Sequence, residues 1–217
     1  MTIYVFDSFG RMQEMTYPDG ELLRYAYDNG GLLKAAWGEK SGNRYNYINS
    51  LLYDEFGQRT HIEYGNNTNS NYSYDPLTRR LATLVSTLNA AQGNRQVQNL
   101  SYQYDLVGNV KVLQNGILVA TNTALPAGPV RQQYDYDDLY QLTSAKGAYG
   151  FGPGKENNYT NTISYDTIGN MTVKNQVNQI IQPSTTVTLP KETNYVLNYV
   201  YGSAKPCPSD QIMIPRI

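Results

Sequence analysis

Aspartate follows an aromatic residue far more often in this chain than chance allows. Eight of the 11 Asp residues do so, whereas an aromatic content of 12% would give roughly one such pair. When Asp135 and Asp137 are counted as one unit, seven copies remain, spaced 21 to 32 residues apart. A period of this size indicates a repeat protein in which each copy is one supersecondary unit. The seven aspartates are Asp7, Asp28, Asp54, Asp75, Asp105, Asp137 and Asp166.

The residues around each Asp keep the same register and define the unit. The preceding residue is always aromatic: Phe6, Tyr27, Tyr53, Tyr74, Tyr104, Tyr136 and Tyr165. The residue three before the Asp is large and apolar or aromatic, and positions two apart lie on one face of a strand. Glycine stands three after the Asp in five copies: Gly10, Gly31, Gly57, Gly108 and Gly169. Asp closes an Asx turn and Gly supplies the positive φ of a hairpin with a bulge, so the unit predicts strand, tight turn, strand.

The segments between the copies add less to the prediction. Residues 66–71, 90–99, 121–128 and 147–161 are polar and rich in Asn, Gly, Ser, Thr and Pro, which favours loops at hairpin ends. Asn115-Gly116 predicts a type I′ hairpin between residues 112–113 and residues 117–119. The strongest helical candidate is residues 81–91, but no segment sustains a 3.6-residue periodicity. We therefore predict an all-β fold.

Charge and composition argue against several classes of function. The 17 basic and 18 acidic residues do not suit a nucleic-acid binder that works by bulk electrostatics. The chain has no run of Lys or Arg that would form a membrane-surface patch, and no apolar stretch that approaches 18 residues, so no membrane span is expected. No secretory leader is visible after Met1. One His and one Cys exclude internal disulfides and most zinc sites.

The chemically suggestive residues favour structural roles. Seven equivalent aspartates are more typical of turn closure than of catalysis, where one carboxylate stands apart from the others. The Asp137-Asp138 pair is a poor calcium candidate, because calcium requires several converging oxygens. His61 is interpreted as a surface or strand-packing residue and Cys207 as an incidental thiol, since neither has a recognisable partner. Residues 150–155 lack the spacing of a phosphate-binding loop. No catalytic, metal or cofactor site is predicted.

The repeat resembles the YD repeat of the RHS/YD-repeat family. The family pattern is aromatic-Asp-x-x-Gly, then Asn, Arg or Gln, then an apolar residue. It is plainest in residues 53–59 (YDEFGQR), 104–110 (YDLVGNV) and 165–171 (YDTIGNM). Residues 134–147 are similar to a longer variant found in bacterial insecticidal toxin complexes and RHS toxins. The resemblance covers about residues 4–206.

The resemblance implies an architecture and a role. Successive antiparallel hairpins would form a curved, open β-sheet, a segment of a spiralling hollow shell that encloses a C-terminal toxin or effector domain. The segment itself would be structural and non-enzymatic, and its full-length parent would be secreted or at the cell surface. Its partners would be other repeat segments of the same shell and the enclosed toxin domain. In animal teneurins, a similar shell is an extracellular scaffold for adhesion.

The boundaries of the resemblance suggest a fragment. We assign residues 1–206 to the repeat sheet and residues 207–217, where the pattern is lost, to an aberrant, disordered tail. The family's terminal core is not recognisable, which we interpret as truncation or a frameshift. The open sheet edges are then expected to pair with other copies.

Two other functions remain open at this stage. One is an extracellular, wall-associated adhesion or carbohydrate-binding module, with glycans stacked on solvent-facing residues such as Tyr45, Tyr47 and Tyr64. The other is a β-rich hydrolase, for which no nucleophile–base set or carboxylate pair stands apart from the repeat.

Overall fold

A computed structural model describes residues 1–91, 93–117, 130–150, 156–181, 186–188, 194–201 and 211–213. Every regular element in these ranges is a β-strand, and all strand pairs are antiparallel, so the predicted all-β fold is confirmed. The chain divides into two compact units, Met1–Asn99 and Leu100–Ile217.

The first unit is a meander in which each strand pairs with the next one along the chain. Its strands are β1 (Ile3–Phe6), β2 (Met12–Thr16), β3 (Leu22–Tyr27), β4 (Leu33–Lys40), β5 (Asn43–Tyr53), β6 (Arg59–Tyr64), β7 (Thr68–Tyr74) and β8 (Leu81–Ala90). The pairing runs without interruption from β1 to β8. Within the described ranges, β1 has β2 as its only paired neighbour.

The second unit repeats this arrangement, beginning in the latter part of β9. Its strands are β9 (Gly93–Tyr104), β10 (Val110–Asn115), β11 (Val130–Tyr136), β12 (Leu142–Gly150), β13 (Glu156–Tyr165), β14 (Met171–Ile181), β15 (Thr186–Thr188), β16 (Tyr195–Val200) and β17 (Gln211–Met213). Strands β9 to β14 pair in succession. Strand β14 then pairs with both β15 and β16, and β16 pairs with β17.

Polar side chains take places inside the sheets that apolar side chains usually fill. The buried hydrophobic residues among the described ones are Ala36, Leu51 and Ile62. The buried polar residues are Ser70, Ser86, Asn157, Asn161 and Asn178. They pair across strands: the Ser70 and Ser86 hydroxyl oxygens lie 2.7 Å apart, and Asn161 Nδ2 donates to Gln176 Oε1 at 3.3 Å. Hydrogen bonding offsets the cost of burying the hydroxyl and amide N–H groups, whereas the side-chain oxygens of Asn157 and Asn161 accept no hydrogen bond from the described residues.

The loop prediction for the polar segments is wrong over most of their length. Residues 68–71 lie in β7, residues 93–99 in β9, and residues 147–150 and 156–161 in β12 and β13. Cross-strand pairs of Asn, Ser, Thr and Gln stabilise these strands, and hydropathy gives no signal for such pairs. Residues 121–128 lie outside the described ranges. The weak helical candidate at residues 81–91 is almost wholly strand β8.

The type I′ hairpin predicted at Asn115-Gly116 is also wrong. Strand β10 has a neighbour on each edge: Leu113 pairs with Tyr102 of β9 and with Gln132 of β11. Both edges of β10 are therefore already paired, up to Asn115 itself. Neither Asn115 nor Gly116 has the positive φ that a type I′ turn requires.

Part of the predicted tail is described. Residues 211–213 form β17, which pairs with β16 through Val200 and Gln211, for example. The rest of residues 207–217, including Cys207, lies outside the described ranges. In the part of the chain that the structure describes, no helix is long and apolar enough to cross a membrane.

Candidate functional site

The Asp hairpin at residues 166–170 shows the geometry of the repeated turn. The backbone N–H of Gly169 donates to the carbonyl of Asp166 at 3.1 Å, and the N–H of Asp166 donates to the carbonyl of Asn170 at 2.9 Å. Gly169 has φ of +88°. This is the predicted tight turn with a glycine bulge. The same two backbone bonds close the turns that begin at Asp7, Asp28, Asp54, Asp105 and Asp137.

The carboxylate of each turn Asp binds the turn itself. Asp166 Oδ1 accepts from the N–H groups of Ile168 at 3.0 Å and Asn170 at 2.9 Å. Its Oδ2 accepts from Asn170 Nδ2 at 2.9 Å. The side-chain and backbone bonds from Asn170 hold the pKa of Asp166 below its ordinary value of 3.8. The carboxylate is thus kept ionised as a turn-closing acceptor.

The side chain four residues after the Asp varies in type but serves the same carboxylate in several copies. Asn109 Nδ2 donates to Asp105 Oδ2 at 2.9 Å, and Arg11 Nε donates to Asp7 Oδ2 at 2.7 Å. Asn and Arg at this position therefore have a physical reason, because each side chain donates a hydrogen bond to the turn carboxylate.

Two copies lack the glycine and place another residue in its conformation. Tyr140 occupies the glycine position of the Asp137 turn with φ of 63°, and Arg79 adopts φ of 58° in the Asp75 turn. The Asp75 turn is one residue longer, since the N–H of Arg79 donates to the carbonyl of Asp75 at 2.8 Å. Non-glycine residues are strained in this region.

One further turn of the same type escaped the sequence analysis because it contains no turn-closing Asp. Between β2 and β3, the N–H of Gly20 donates to the carbonyl of Tyr17 at 3.0 Å, and Gly20 has φ of +86°. Pro18 and Gly20 stand at the second and fourth positions of this turn, which these residues favour. The spacing of Pro18 and Gly20, with one residue between them, could have identified the turn.

A tyrosine hydroxyl links consecutive Asp hairpins. Tyr165, directly before Asp166, donates its hydroxyl to the carbonyl of Leu142 at 2.9 Å, and Leu142 lies five residues after Asp137. The same relation recurs at distances from 2.7 to 3.0 Å. The other pairs are Tyr27 with Met12, Tyr53 with Leu33, Tyr74 with Arg59, Tyr136 with Val110, and Tyr201 with Met171.

These bonds lie where the backbone ladder between hairpins stops. On β12 and β13, the last backbone pair toward the Asp turns is Ser144 with Thr162, so the ladder does not reach Leu142. On β4 and β5, the last pair is Ala36 with Ile48, and Leu33 lies beyond it. The tyrosine hydroxyl therefore satisfies a carbonyl that the ladder leaves open, and it holds adjacent hairpins together at the Asp ends of their strands.

Side chains also link neighbouring turns directly. The Arg79 guanidinium pairs with the Asp54 carboxylate, and its carbon lies 4.0 Å from the centre of the Phe56 ring. Gln58 Nε2 donates to the carbonyl of Arg79 at 2.7 Å. The turns that begin at Asp54 and Asp75 are thereby joined by an ion pair, a cation–π contact and a hydrogen bond.

The remaining candidate residues lie apart from these junctions. His61 on β6 has Nδ1 2.7 Å from Asn71 Oδ1 on β7, a cross-strand contact. Tyr45 and Tyr47 are about half exposed, at 48% and 47%, and Tyr64 is half-buried. A glycan site on these tyrosines stays a prediction. The described residues contain no cluster of three or more His, Cys, Asp or Glu side chains that could hold a metal ion, and residues 151–155 lie outside the described ranges.

Comparison with curated proteins relates the chain to bacterial toxin subunits. No family model matches the sequence. The chain is 33% identical over 183 residues to the toxin subunit YenC1 of Yersinia entomophaga, covering 76% of this chain and 19% of YenC1. It is 33% identical over 180 residues to YenC2 of the same organism, covering 70% of this chain and 18% of YenC2. The chain spans about a fifth of the length of these curated relatives.

Solved structures give the same relation. The chain is similar to the Photorhabdus luminescens Tc holotoxin pore, with a TM-score of 0.72 and 30% identity over 91% of this chain and 9% of that chain. It is similar to the TcdB2-TccC3-Cdc42 crystal structure, with a TM-score of 0.74 and 30% identity over 98% of this chain and 10% of that chain. The homologues of this chain are thus subunits of Tc toxins, each matched over a small part of its length.

Proposed function

We propose that this chain is a structural, non-enzymatic segment of a YD-repeat shell in a secreted, Tc-like toxin complex. The toxin-subunit homologues support this assignment, as does the recurrence of one hairpin geometry along the chain. In this role, residues 1–206 form one wall segment, and the full shell encloses a C-terminal toxin or effector domain.

The observation that carries the proposal is the tyrosine link between hairpins. The link from Tyr165 to Leu142 and its equivalents tie Asp hairpins to the preceding ones within each of the two units without any ligand or catalytic group. A repeated bond of this kind builds a wall of any length, because each hairpin contacts only its neighbours. Confinement of a cargo requires such a wall and no chemistry.

The aspartates support the non-enzymatic part of the proposal. An acid, base or nucleophile needs a carboxylate oxygen directed at a substrate. In the turns of Asp105 and Asp166, both carboxylate oxygens accept hydrogen bonds from the turn. These groups close turns, and the partners of the segment are other repeat segments and the enclosed domain.

Segment exchange into a homologue tests the proposal. The part of YenC1 that aligns with this chain is replaced by the corresponding residues of this chain, and the chimera is digested with trypsin under native conditions. YenC1 itself sets the reference for protection of its C-terminal part. A wall segment should leave that protection within about twofold of the reference, because the shell remains closed.

A matched chimera sharpens the experiment. It carries Tyr53→Phe, Tyr136→Phe and Tyr165→Phe, which remove three linking hydroxyls and keep the rings. We expect faster cleavage in this chimera than in the first one. If the first chimera is soluble and folded but its C-terminal part is digested as fast as in denatured YenC1, the proposal is wrong.

A further inference from the structure

A groove of about 610 Å³ opens on one face of the first unit, within the size range of small-ligand sites. Its lining includes Tyr17, Glu21, Leu23, Tyr25, Ala36 and Tyr47. Tyr25 pairs with Ala36, and Ala36 pairs with Ile48, so these residues form one row across β3, β4 and β5 on the same face. The groove therefore belongs to the sheet face and lies away from the Asp turns.

Small residues on β4 make room for the groove. Ala36 lies at its floor and Gly38 follows on the same face of the strand. A Cβ atom at Gly38 would lie 2.8 Å from Cε2 of Tyr47 and would also collide with the Glu21 carboxylate. The Tyr47 ring and the Glu21 carboxylate thus occupy the space that a side chain at position 38 would fill.

The charged residues that line the groove are both acidic. Asp19 is paired with Lys40, whose Nζ lies 2.7 Å from Asp19 Oδ2. Glu21 accepts a hydrogen bond from the Tyr47 hydroxyl, and among the described residues no Lys or Arg nitrogen lies within ion-pair distance of it. The groove therefore combines three tyrosine rings with one carboxylate that has no direct ion pair in the described chain, although the charge of Lys40 acts on it from beyond contact distance.

The chain shows elsewhere what such a combination binds. Arg11 lies 4.7 Å from the centre of the Tyr27 ring while it pairs with Asp7. Arg79 lies 4.0 Å from the centre of the Phe56 ring while it pairs with Asp54. In both places a guanidinium lies over an aromatic ring and pairs with a carboxylate. The planar, delocalised charge of a guanidinium favours both contacts.

We infer that the groove lined by Tyr17, Tyr25, Tyr47 and Glu21 binds an arginine side chain of another polypeptide segment. The guanidinium stacks on the tyrosine rings and pairs with the Glu21 carboxylate, and the aliphatic part of the arginine contacts Leu23 and Ala36. The Tyr47 hydroxyl holds the carboxylate in place. This inference is independent of the shell function.

A pair of peptides that differ in charge alone tests the site. Acetyl-Ser-Gly-Arg-Gly-Ser-amide and the same peptide with citrulline in place of arginine are titrated into the full chain labelled with ¹⁵N. We expect the arginine peptide to shift the amide resonances of Ala36 and Gly38 at millimolar concentration. Citrulline has nearly the same shape as arginine but carries no charge. The citrulline peptide should therefore bind at least about fivefold more weakly than the arginine peptide. Binding should also weaken as NaCl is raised.

Matched variants separate the site from nonspecific attraction. Glu21→Gln removes the charge but keeps an acceptor for the Tyr47 hydroxyl, and it should weaken binding of the arginine peptide about fivefold. Glu55→Gln, in an exposed turn outside the groove, makes the same change in net charge and should leave binding unchanged. Equal binding of the two peptides, or equal loss in the two variants, would overturn the inference. An arginine peptide that shifts no resonance of the groove would also overturn it.

Discussion

The hydroxyl of Tyr53 donates a hydrogen bond to the backbone carbonyl of Leu33 at 2.9 Å, across the gap where β4 and β5 have stopped pairing. The two residues belong to consecutive Asp hairpins, 20 positions apart in sequence. The tyrosine directly before the turn Asp thus contributes its hydroxyl as well as its ring to the repeat.

Removal of that hydroxyl should destabilise the first unit. Tyr53→Phe leaves the ring in place and the Leu33 carbonyl without its donor, so we expect the free energy of unfolding to fall by about 1 kcal/mol. Urea denaturation followed by circular dichroism measures the change. Tyr45→Phe is the matched control, because Tyr45 lies on the same strand and its hydroxyl makes no hydrogen bond within the described residues. Equal losses in both variants would contradict the assigned role.

Substitution of the turn glycine Gly57 should be costly for a backbone reason alone. Gly57 has φ of +75°, and a Cβ at this position would meet nothing within 4 Å. Gly57→Ala should therefore lower the free energy of unfolding by about 1 kcal/mol through the left-handed conformation and not through a clash. A crystal structure of the variant should show an unchanged turn. A neutral effect in urea denaturation would count against this interpretation.

The reverse change should stabilise the Asp137 turn. Tyr140 takes the glycine position with φ of 63° and is 60% exposed. Tyr140→Gly relieves the backbone strain, while the greater freedom of glycine in the unfolded chain offsets part of the gain. We expect a net increase in the free energy of unfolding of about 0.5 kcal/mol. A loss of stability would mean that the Tyr140 ring makes a contribution that exceeds its strain.

Acid should weaken the turns. The side-chain and backbone bonds from Asn170 lower the pKa of Asp166 from 3.8, and those from Thr78 lower the pKa of Asp75 in the same way. A lowered pKa in the folded state stabilises the protein above the unfolded-state pKa. That stability is lost as the pH falls through the folded-state pKa. Thermal unfolding at pH 7, 4, 3 and 2 should show a falling midpoint, and the fall should be smaller in Asp166→Asn.

The exposed edge of β1 should promote self-association of the isolated chain. Ile3, Tyr4, Val5 and Phe6 are each between 43% and 55% exposed, and only one edge of β1 is paired in the described ranges. An open apolar edge is a template for another strand. We expect light scattering at tens of micromolar to detect oligomers, and Val5→Lys to reduce them. A monodisperse monomer of the unmodified chain would contradict this prediction.

The sequence predicts the five-residue Asp turn almost completely, because every bond in a turn such as that of Asp166 joins residues at most four apart. Asp166, Gly169 and Asn170 can be read as acceptor, positive-φ residue and donor from their spacing alone. The same reasoning overlooked the turn that begins at Tyr17, where the first position holds a tyrosine in place of the turn-closing aspartate. Local chemistry thus predicts a turn only when its most typical residue is present.

The tyrosine links could not have been predicted. Donor and acceptor are 15 to 30 residues apart in sequence. The acceptor is a backbone carbonyl, which every residue type has, so the sequence does not mark its position. The sequence indicated only that Tyr53 and its equivalents lie on strands, directly before the turn. The hydroxyl contacts depend on where the backbone ladder stops, which tertiary pairing alone determines.

The strands of polar residues show a different limit. Asn157 and Asn161 are buried on β13 and Ser70 on β7, where the content of Asn, Gly, Ser, Thr and Pro predicted loops. Their partners are other polar side chains on adjacent strands, such as Tyr149 for Asn157. A pattern based on apolar residues is insensitive to sheets held by amide and hydroxyl pairs.

The acceptor in each tyrosine link is a peptide carbonyl, so the residue that provides it is free to change. The acceptors belong to methionine, leucine, arginine and valine residues, and the bond is the same in each case. A duplicated hairpin would find its acceptor already in place, and a deleted one would leave its neighbours able to join. Such an array can gain or lose whole hairpins in evolution, while substitutions at the acceptor positions leave the hydrogen bonds between hairpins intact.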